Sequence, residues 1–403
     1  MLRQARKIYA FLTERYARRR DDLYEKGVFS RMAGPSGYVL IMVLIVTTLL
    51  VAVSGEFIIV AQTDIGYMRK LGNRLKASCL ARSGIELSQY VLMADRMGVS
   101  GSLYSGKSTS KGVDSYNDIW AFDFPPIPVE EGTVTIKILD ENAKINLSVL
   151  ANEFVDQTPY YGITQRFFLN LGLPMDFADI IIDWVDIDDS RFPYGAESYD
   201  YYQTLETPYS AKNAEMDSID ELMMMRDMTP EIYYGLGGGN YGMEENLTTH
   251  NRGNTALPEA LLSRESGKEN EDEIGESEAP AVAKEKSRKL SDYLRVHGYR
   301  DDYLNQYNRI NINTASYRVL SALTDSMTDD IVTEIINRRL VSPYQSVDDI
   351  AELIQDETVR KNILSVKSYI FRIISTAEVG NASVTITAVY NRDKKKLLYW
   401  SEN

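Results

Sequence analysis

Apolar positions in the N-terminal part of the chain predict one long helix. From Tyr38 to Ala61 the chain carries one charged residue, Glu56, and this apolar segment is close to the ~20 residues that a membrane-spanning helix needs. From Gln62 to Ala94 there is no proline, and apolar residues recur at helical spacing. The pattern predicts a helix over residues 38–95 that is membrane-spanning at about 38–61 and amphipathic beyond.

The amphipathic half carries two successive apolar stripes. The first comprises Met68, Leu71, Leu75 and Cys79, and the second comprises Leu80, Gly84, Leu87, Val91 and Ala94. A helix of this kind suits a filament subunit, because its first half can pack among neighbouring subunits while its second half packs on its own head domain.

The basic leader before this helix leaves three interpretations open. Residues 1–37 contain nine basic and four acidic residues, and such an excess of positive charge stays cytoplasmic. A secretory signal would be cleaved near Ser54, and a plain anchor would not be cleaved. The third interpretation is a resemblance to the type IV pilin class, in which a prepilin peptidase cuts after a glycine on the cytoplasmic side of the apolar run. That resemblance implies cleavage between Gly37 and Tyr38.

The fifth position of such a mature chain is Met42. Most pilin-like subunits have a glutamate there, understood to neutralise the N-terminal ammonium of the adjacent subunit, since a buried unpaired charge is costly. A subunit at the tip of a fibre has no earlier neighbour whose ammonium needs a partner. Met42 therefore fits a capping role, although an ordinary anchor would not need a glutamate either.

Period-two and helical patterns divide the rest of the chain. The alternating pattern predicts a strand in GTVTIKIL, just before Asp140. A hairpin is predicted near the C-terminus, where Gly380 and Asn381 separate two further strands. Helical patterns occur in the region between these strands, in the segments FADIIIDWV, SIDELMMMRDM and KLSDYLRVHGY. The predicted fold class is α+β, with the long N-terminal helix packed on a pilin-like antiparallel sheet that carries a large all-helical insertion domain.

These patterns also predict the domain boundaries. The leader is 1–37, the long helix 38–95, the first part of the αβ head 96–150, the inserted helical domain 151–365 and the final strands of the head 366–403. Residues 237–289 are polar, charged and almost free of aromatic side chains, so we expect a disordered acidic loop there.

Composition narrows the possible chemistry. The net charge of −14 disfavours nucleic acid as a partner, because affinity for nucleic acid rests largely on Lys and Arg neutralising phosphates. One cysteine and two histidines offer little for a zinc site. A metal site would have to use oxygen ligands and would favour a hard cation such as Ca²⁺.

An ordered set of motifs behind the pilin-like helix resembles the general secretion pathway protein K family, the large minor pseudopilins of the type II secretion system. The motifs are DENAKINLSVL, IIDWVDIDDSRFPYGAESYDYY, TPYSAKNAEMDSIDELMMMRDMTPEIY and RININTASYRVL. The resemblance implies a non-enzymatic subunit at the tip of the pseudopilus, in complex with the minor pseudopilins I and J and anchored in the inner membrane with its bulk in the periplasm. It also implies processing by prepilin peptidase and contact with the secretin or with exported proteins.

One of these motifs concentrates six carboxylates in a loop, namely Asp183, Asp186, Asp188, Asp189, Glu197 and Asp200. A solvated acidic loop and the acid/base pair of a glycosidase, for example Asp183 with Asp186, are alternatives to a metal site. The family resemblance implies structural Ca²⁺ in the helical domain. On that basis we assign as ligands Asp186, Asp188, Asp189, Glu197 and Asp200.

The strongest rival function comes from residues 309–353, which resemble the helix-hairpin-helix module of DNA-binding proteins. In such modules a glycine-rich turn offers backbone N–H groups to phosphate. Here the turn TDSMTDD has no glycine, and four arginines oppose seven acidic residues across the segment. The sequence therefore favours a packing scaffold, and a membrane-anchored DNA-binding or uptake protein, or a type IV pilus minor pilin, remains the alternative.

Overall fold

The computed structural model describes residues 35–98, 112–152, 155–235, 289–299 and 302–403. The leader up to residue 34 and the acidic loop, apart from residue 289, lie outside the described residues. The chain divides into two units, one ending at Asn73 and the other running from Arg74 to Asn403.

One long helix, α1, runs from Pro35 to Arg96 over 62 residues. Proline is well tolerated in a first helical turn, because the N–H groups there have no partner within the helix. The predicted long helix is therefore confirmed. It is the one helix of the described residues that is long and apolar enough to cross a membrane.

The second unit contains a five-stranded antiparallel sheet. Its strands are β1 (Ile127–Val129), β2 (Gly132–Asp140), β7 (Ile370–Val379), β8 (Ala382–Asn391) and β9 (Lys396–Glu402), in the spatial order β1-β2-β7-β8-β9. The hairpin predicted at Gly380 and Asn381 joins β7 to β8, and Gly380 has a φ of 60°, which a glycine adopts without strain. The predicted combination of a long helix with an antiparallel sheet is confirmed.

The C-terminal part of α1 packs on this sheet through small side chains. Ala77, Ala81, Gly84, Ser88 and Leu92 are buried. The apolar stripes predicted from sequence are wrong in part, because Leu75 is 66% exposed and Leu87 is 44% exposed. Helix and sheet approach closely at Gly84, so small residues share the contact face with Ile85 and Leu92, while Leu75 and Leu87 lie outside it.

Gly84 marks the closest approach of α1 to the sheet. A Cβ atom at this position would overlap Ser375 Oγ and lie 3.0 Å from Val134 Cγ1. We expect Gly84→Ala to lower the free energy of unfolding by about 1–3 kcal/mol, the usual cost of overpacking a core. Thermal unfolding of the full chain in detergent measures this.

Gly72→Ala is the matched control for that substitution. Its Cβ atom would meet nothing within 4 Å, so only the higher helix propensity of alanine should act, and the variant should be as stable as the wild type or slightly more so. Equal destabilisation by both substitutions would contradict the close approach at Gly84.

The inserted region lies between β2 and β7. Its helices are α2 (Pro159–Asn170), α3 (Phe177–Val185), α4 (Pro230–Tyr234), α5 (Tyr317–Ser321) and α6 (Asp329–Val341). Short 3₁₀ turns connect them, among them Ile219–Met224, where Ser218 and Glu221 form a capping box. The region has a separate core built around aromatic side chains such as Phe167 and Trp184.

The insertion is helical in the main, with two short parallel strand pairs added. β3 (Ile145–Asn146) pairs with β4 (Leu294–Arg295), and β5 (Ile310–Asn311) pairs with β6 (Leu364–Ser365). The helix expected at KLSDYLRVHGY is therefore wrong: this segment forms one 3₁₀ turn, Leu290–Asp292, followed by β4. Pairing with a strand distant in the chain outweighs the local helical pattern there.

Candidate functional site

Three carboxylates of the acidic loop converge at the C-terminal end of α3. Asp183 lies in the last turn of this helix, Asp186 follows it, and Glu197 comes from the far side of the loop. One oxygen from each of these residues lies within 4.8 Å of the other two. Asp183 and Glu197 are fully buried, so the loop folds over a compact group of negative charges.

The backbone of the loop packs closely against one carboxylate of this acidic trio, which we define as Asp183, Asp186 and Glu197. Gly195 lies against the Asp183 carboxylate, and a Cβ atom at position 195 would overlap Asp183 Oδ2. Asp183 Oδ1 accepts a hydrogen bond of 2.9 Å from Phe192 N. The loop is therefore held to the end of α3 by the same carboxylate that contributes to the trio.

Burial of these carboxylates destabilises their charged forms. It raises the pKa of Asp183 to about 7, and the nearby charges of Glu197 and Asp179 add to the effect. Burial also raises the pKa of Glu197, with Asp189 and Asp188 adding to it. Buried Asp183 Oδ2 and Glu197 Oε1 accept no hydrogen bond within the described residues. Buried carboxylate oxygens that accept no hydrogen bond are suitable ligands for a hard cation, so the residues of the trio fit Ca²⁺.

The structure separates the ligands predicted from sequence into two groups. Asp186 and Glu197 belong to the trio, whereas the other three carboxylates bind protein groups. Asp188 Oδ1 accepts from Ser190 N at 2.7 Å, Asp189 Oδ1 accepts from Asn213 Nδ2 at 3.1 Å, and Asp200 Oδ2 accepts from Arg191 Nη1 at 2.6 Å. Sequence reasoning placed Asp183 in the acidic cluster but not among the ligands. Asp183 lies within a helical pattern, and that pattern does not show that its side chain points toward the loop.

A second acidic group was not predicted. Asp95 in the last turn of α1 lies close to Asp114 and Asp118, with one oxygen of each within 4.8 Å of the others. Arg392 from the end of β8 contacts Asp95 at 3.4 Å and Asp114 at 2.8 Å. These charges join the end of the long helix to the sheet. Their wide separation in sequence concealed the group.

Protonation of this second group should make stability fall as the pH rises from about 4 to about 8. Burial raises the pKa of Asp95 to about 7 and that of Asp118 to about 8, and the neighbouring carboxylates reinforce both shifts. The fold binds these protons more tightly than the unfolded chain, where the aspartate pKa is about 3.9. The stability they contribute is therefore complete below about pH 4 and lost as the pH rises through 7 to 8.

Asp118→Asn mimics the protonated acid, so we expect the variant to lose less stability than the wild type between about pH 6 and pH 9. Asp325→Asn is the control, since the side chain of Asp325 is 90% exposed. Urea unfolding across this pH range measures both slopes. Parallel curves for Asp118→Asn and the wild type would contradict the role of this group.

The segment that resembles a helix-hairpin-helix module comprises α5, α6 and the turn between them. Two of its arginines contact the protein: Arg339 is buried and donates to Ile312 O at 2.7 Å, and the exposed Arg338 lies 5.2 Å from the centre of the Tyr344 ring. At the turn, Arg166 of α2 donates to the carbonyl oxygens of Ala322 and Leu323. These contacts favour the packing scaffold over a phosphate-binding surface.

Comparisons with known proteins agree with this architecture. Two domains described as Type II secretion system (T2SS), protein K, match residues 143–237 and 310–367. A curated relative, the Type II secretion system protein K of Aeromonas hydrophila, is 26% identical over 211 residues, which cover 49% of this chain and 60% of the relative.

A solved structure shares the fold. The crystal structure of the GspK-GspI-GspJ complex from the type 2 secretion system of enterotoxigenic Escherichia coli contains a chain that matches with a TM-score of 0.54 at 16% identity. The match covers 84% of this chain and 99% of that chain. Two successive segments of the inserted region are therefore similar to domains of protein K of the type II secretion system, and the fold is similar to that of the matched chain.

Proposed function

We propose that the protein is a minor pseudopilin at the tip of the type II secretion pseudopilus, where it starts or caps the fibre. The position of the insertion carries this proposal. β2 ends at Asp140 and β7 begins at Ile370, and Asp140 pairs with Phe371, so the insertion leaves the sheet and returns to it at one end. Arg392 ties the last turn of α1 to this same end.

The bulk of the insertion therefore lies where α1 finishes, at the end of the sheet that a following subunit would have to cover. A subunit added there would have to displace a folded region with its own core. The role is structural, and no catalytic step is part of it.

The relatives suggest the partners and the compartment. The matched complex contains GspK, GspI and GspJ, and we propose that this chain likewise assembles with minor pseudopilins I and J. The apolar half of α1 would hold it in the inner membrane as a single span, with the leader cytoplasmic and the sheet and insertion periplasmic. Prepilin peptidase would cut between Gly37 and Tyr38, and the tip would meet the secretin or exported proteins.

N-terminal mass spectrometry of the membrane-extracted protein, expressed with and without a prepilin peptidase, tests the processing. We expect a terminus at Tyr38 only when the peptidase is present. An intact terminus in both samples would indicate a plain anchor, and cleavage near Ser54 a secretory signal. Co-purification with the I and J pseudopilins, expressed together with the peptidase, tests the assembly.

We also propose that Ca²⁺ occupies the acidic trio as a structural ion. Asp183, Asp186 and Glu197 would hold it, and the bound ion would supply the positive charge that the buried carboxylates lack. Because the trio joins the end of α3 to the loop that follows, its occupancy should stabilise the helical insertion. This role depends on oxygen ligands alone, which is the ligand set that calcium prefers.

A further inference from the structure

Glu56 is an ionisable residue inside the apolar half of α1. No Lys or Arg occurs from Tyr38 to Tyr67. Residues one helical turn from Glu56 on either side are Ala52, Val53, Ile59 and Val60, so the helix offers the carboxylate no cation at the spacing where side chains meet. The side chain is exposed, and its helix leaves it without a partner within the described residues.

The depth of Glu56 makes this position costly. It precedes Ala61, the predicted end of the span, by five residues, which corresponds to about 8 Å along the helix. An acidic side chain within a span is rare and is almost always paired or directed into a protein interior. A terminal ammonium at Tyr38 would be about 27 Å away along the same helix, so processing of the chain does not supply the missing charge.

Small residues lie on the same side of the helix as Glu56. Thr48, Ala52 and Gly55 precede it by eight, four and one residues, which places them within one face about 100° wide. A Cβ atom at Gly55 would meet nothing within 4 Å, so packing within the described chain does not require a glycine there. Glycine disfavours a helix by about 1 kcal/mol relative to alanine, whereas small residues permit close approach between membrane helices.

We propose that Glu56 binds a lysine or arginine side chain from the membrane helix of a neighbouring subunit, which packs against the face formed by Thr48, Ala52 and Gly55. This inference rests on the proposed assembly with other pseudopilins. Charge complementarity identifies the occupant, because a carboxylate at this depth needs a cation and the chain has none nearby. Parallel subunits carry their terminal ammonium groups at the cytoplasmic end, so the cation comes from a basic side chain near the periplasmic end of the neighbour.

Co-purification from membranes tests the inference. The full-length chain, carrying a C-terminal tag, is expressed with prepilin peptidase and the I and J pseudopilins and extracted in mild detergent. Quantitative mass spectrometry then measures the recovered partners. We expect Glu56→Gln to reduce their recovery about tenfold, which corresponds to 1.4 kcal/mol, and Glu56→Asp to retain most of it.

Ile58→Gln is the matched control. Position 58 is two residues from Glu56 and so lies about 200° around the helix at nearly the same depth, and a glutamine there should leave partner recovery unchanged. Equal processing of all variants at Tyr38 shows that each inserts correctly. A charge swap would establish the pair. Glu56→Lys should lose binding to the partner, and changing the paired basic residue in the partner span to glutamate should restore it.

Three results would overturn the inference. Wild-type recovery of partners by Glu56→Gln would show that the charge is not used, while the proposed function would stand. An equal loss with Ile58→Gln would show that any polar change in the span has the same effect. Failure of the wild-type chain to recover either partner would remove the proposed assembly, and this inference with it.

Discussion

Calcium should stabilise the wild-type protein, and neutralising one buried carboxylate of the acidic trio should remove that effect. At a free calcium concentration of about one hundred times the dissociation constant, a single site raises the free energy of unfolding by about 2.7 kcal/mol. Asp183→Asn preserves the shape of the side chain but removes one charged ligand. Without calcium, this variant should be as stable as the wild type or more so, because it relieves repulsion between buried charges.

The opposite responses with and without calcium separate a metal site from a simple folding defect. Thermal unfolding with EGTA or with added calcium gives both values, and titration calorimetry gives the affinity. Asp188→Asn is the control, because Asp188 is exposed and lies outside the trio. Retention of the full calcium response by Asp183→Asn, or its equal loss in Asp188→Asn, would contradict the assignment.

The acidic loop shows how far sequence reasoning reaches for a site. The family resemblance implied an oxygen-ligand site among these closely spaced carboxylates, and the loop does bring Asp186 and Glu197 together. Spacing could not separate them from Asp188 and Asp200, since each of these accepts a local hydrogen bond from Ser190 or Arg191. Which carboxylates point inward depends on how the loop closes over the end of α3, and sequence distance does not encode that.

The long helix shows a related limit. Its length and its apolar half follow from the pattern of residues, and both are confirmed. The face that packs on the sheet was misassigned, because hydrophobicity ranks Leu75 and Leu87 above Ala77 and Ala81. Close packing selects by size as well as by polarity, so the small residues Ala77, Ala81 and Gly84 on this face allow a closer approach to the strands than leucines at these positions would.

Pairs that are distant in sequence were the least predictable feature. The group of Asp95, Asp114 and Asp118 with Arg392 connects the end of α1 to the end of β8 across almost 300 residues. Likewise, the short parallel pairing of β3 with β4 joins positions on either side of most of the insertion. Local periodicity carries no signal for such contacts, which arise only when the sheet and the insertion fold together.

Glu141→Gln should be among the most destabilising single substitutions in this protein. Glu141 is fully buried at the end of β2, where its carboxylate contacts Lys144 Nζ at 2.7 Å and Arg372 Nε at 2.8 Å. Burial alone would raise the pKa of Glu141, but the two cations overcome this and lower it to about 2. Removing one partner of a buried pair leaves uncompensated charge and costs about 3–5 kcal/mol.

The location of Glu141 makes the consequence structural as well as energetic. Arg372 belongs to β7, whereas Lys144 also donates to Ser291 O at 2.9 Å in the inserted region. The carboxylate therefore connects the sheet to the insertion at the point where the chain leaves β2. Its loss should loosen the junction that places the insertion at one end of the sheet, and so impair the proposed assembly as well as stability.

Urea unfolding of the full chain in detergent measures the loss. Glu131→Gln provides the comparison, because Glu131 pairs with Lys76 while 62% of its side chain is exposed, and an exposed pair contributes about 0–1 kcal/mol. Acid unfolding is a second test of the contribution of Glu141, because the direction of its pH dependence follows from the pKa shift. The folded-state pKa of Glu141 lies below its ordinary value near 4.5, so its stabilising contribution is present above about pH 4.5 and lost as the pH falls toward 2. A Glu141→Gln variant that unfolds at the wild-type urea concentration and keeps the wild-type acid transition would show that Lys144 and Arg372 do not depend on this carboxylate.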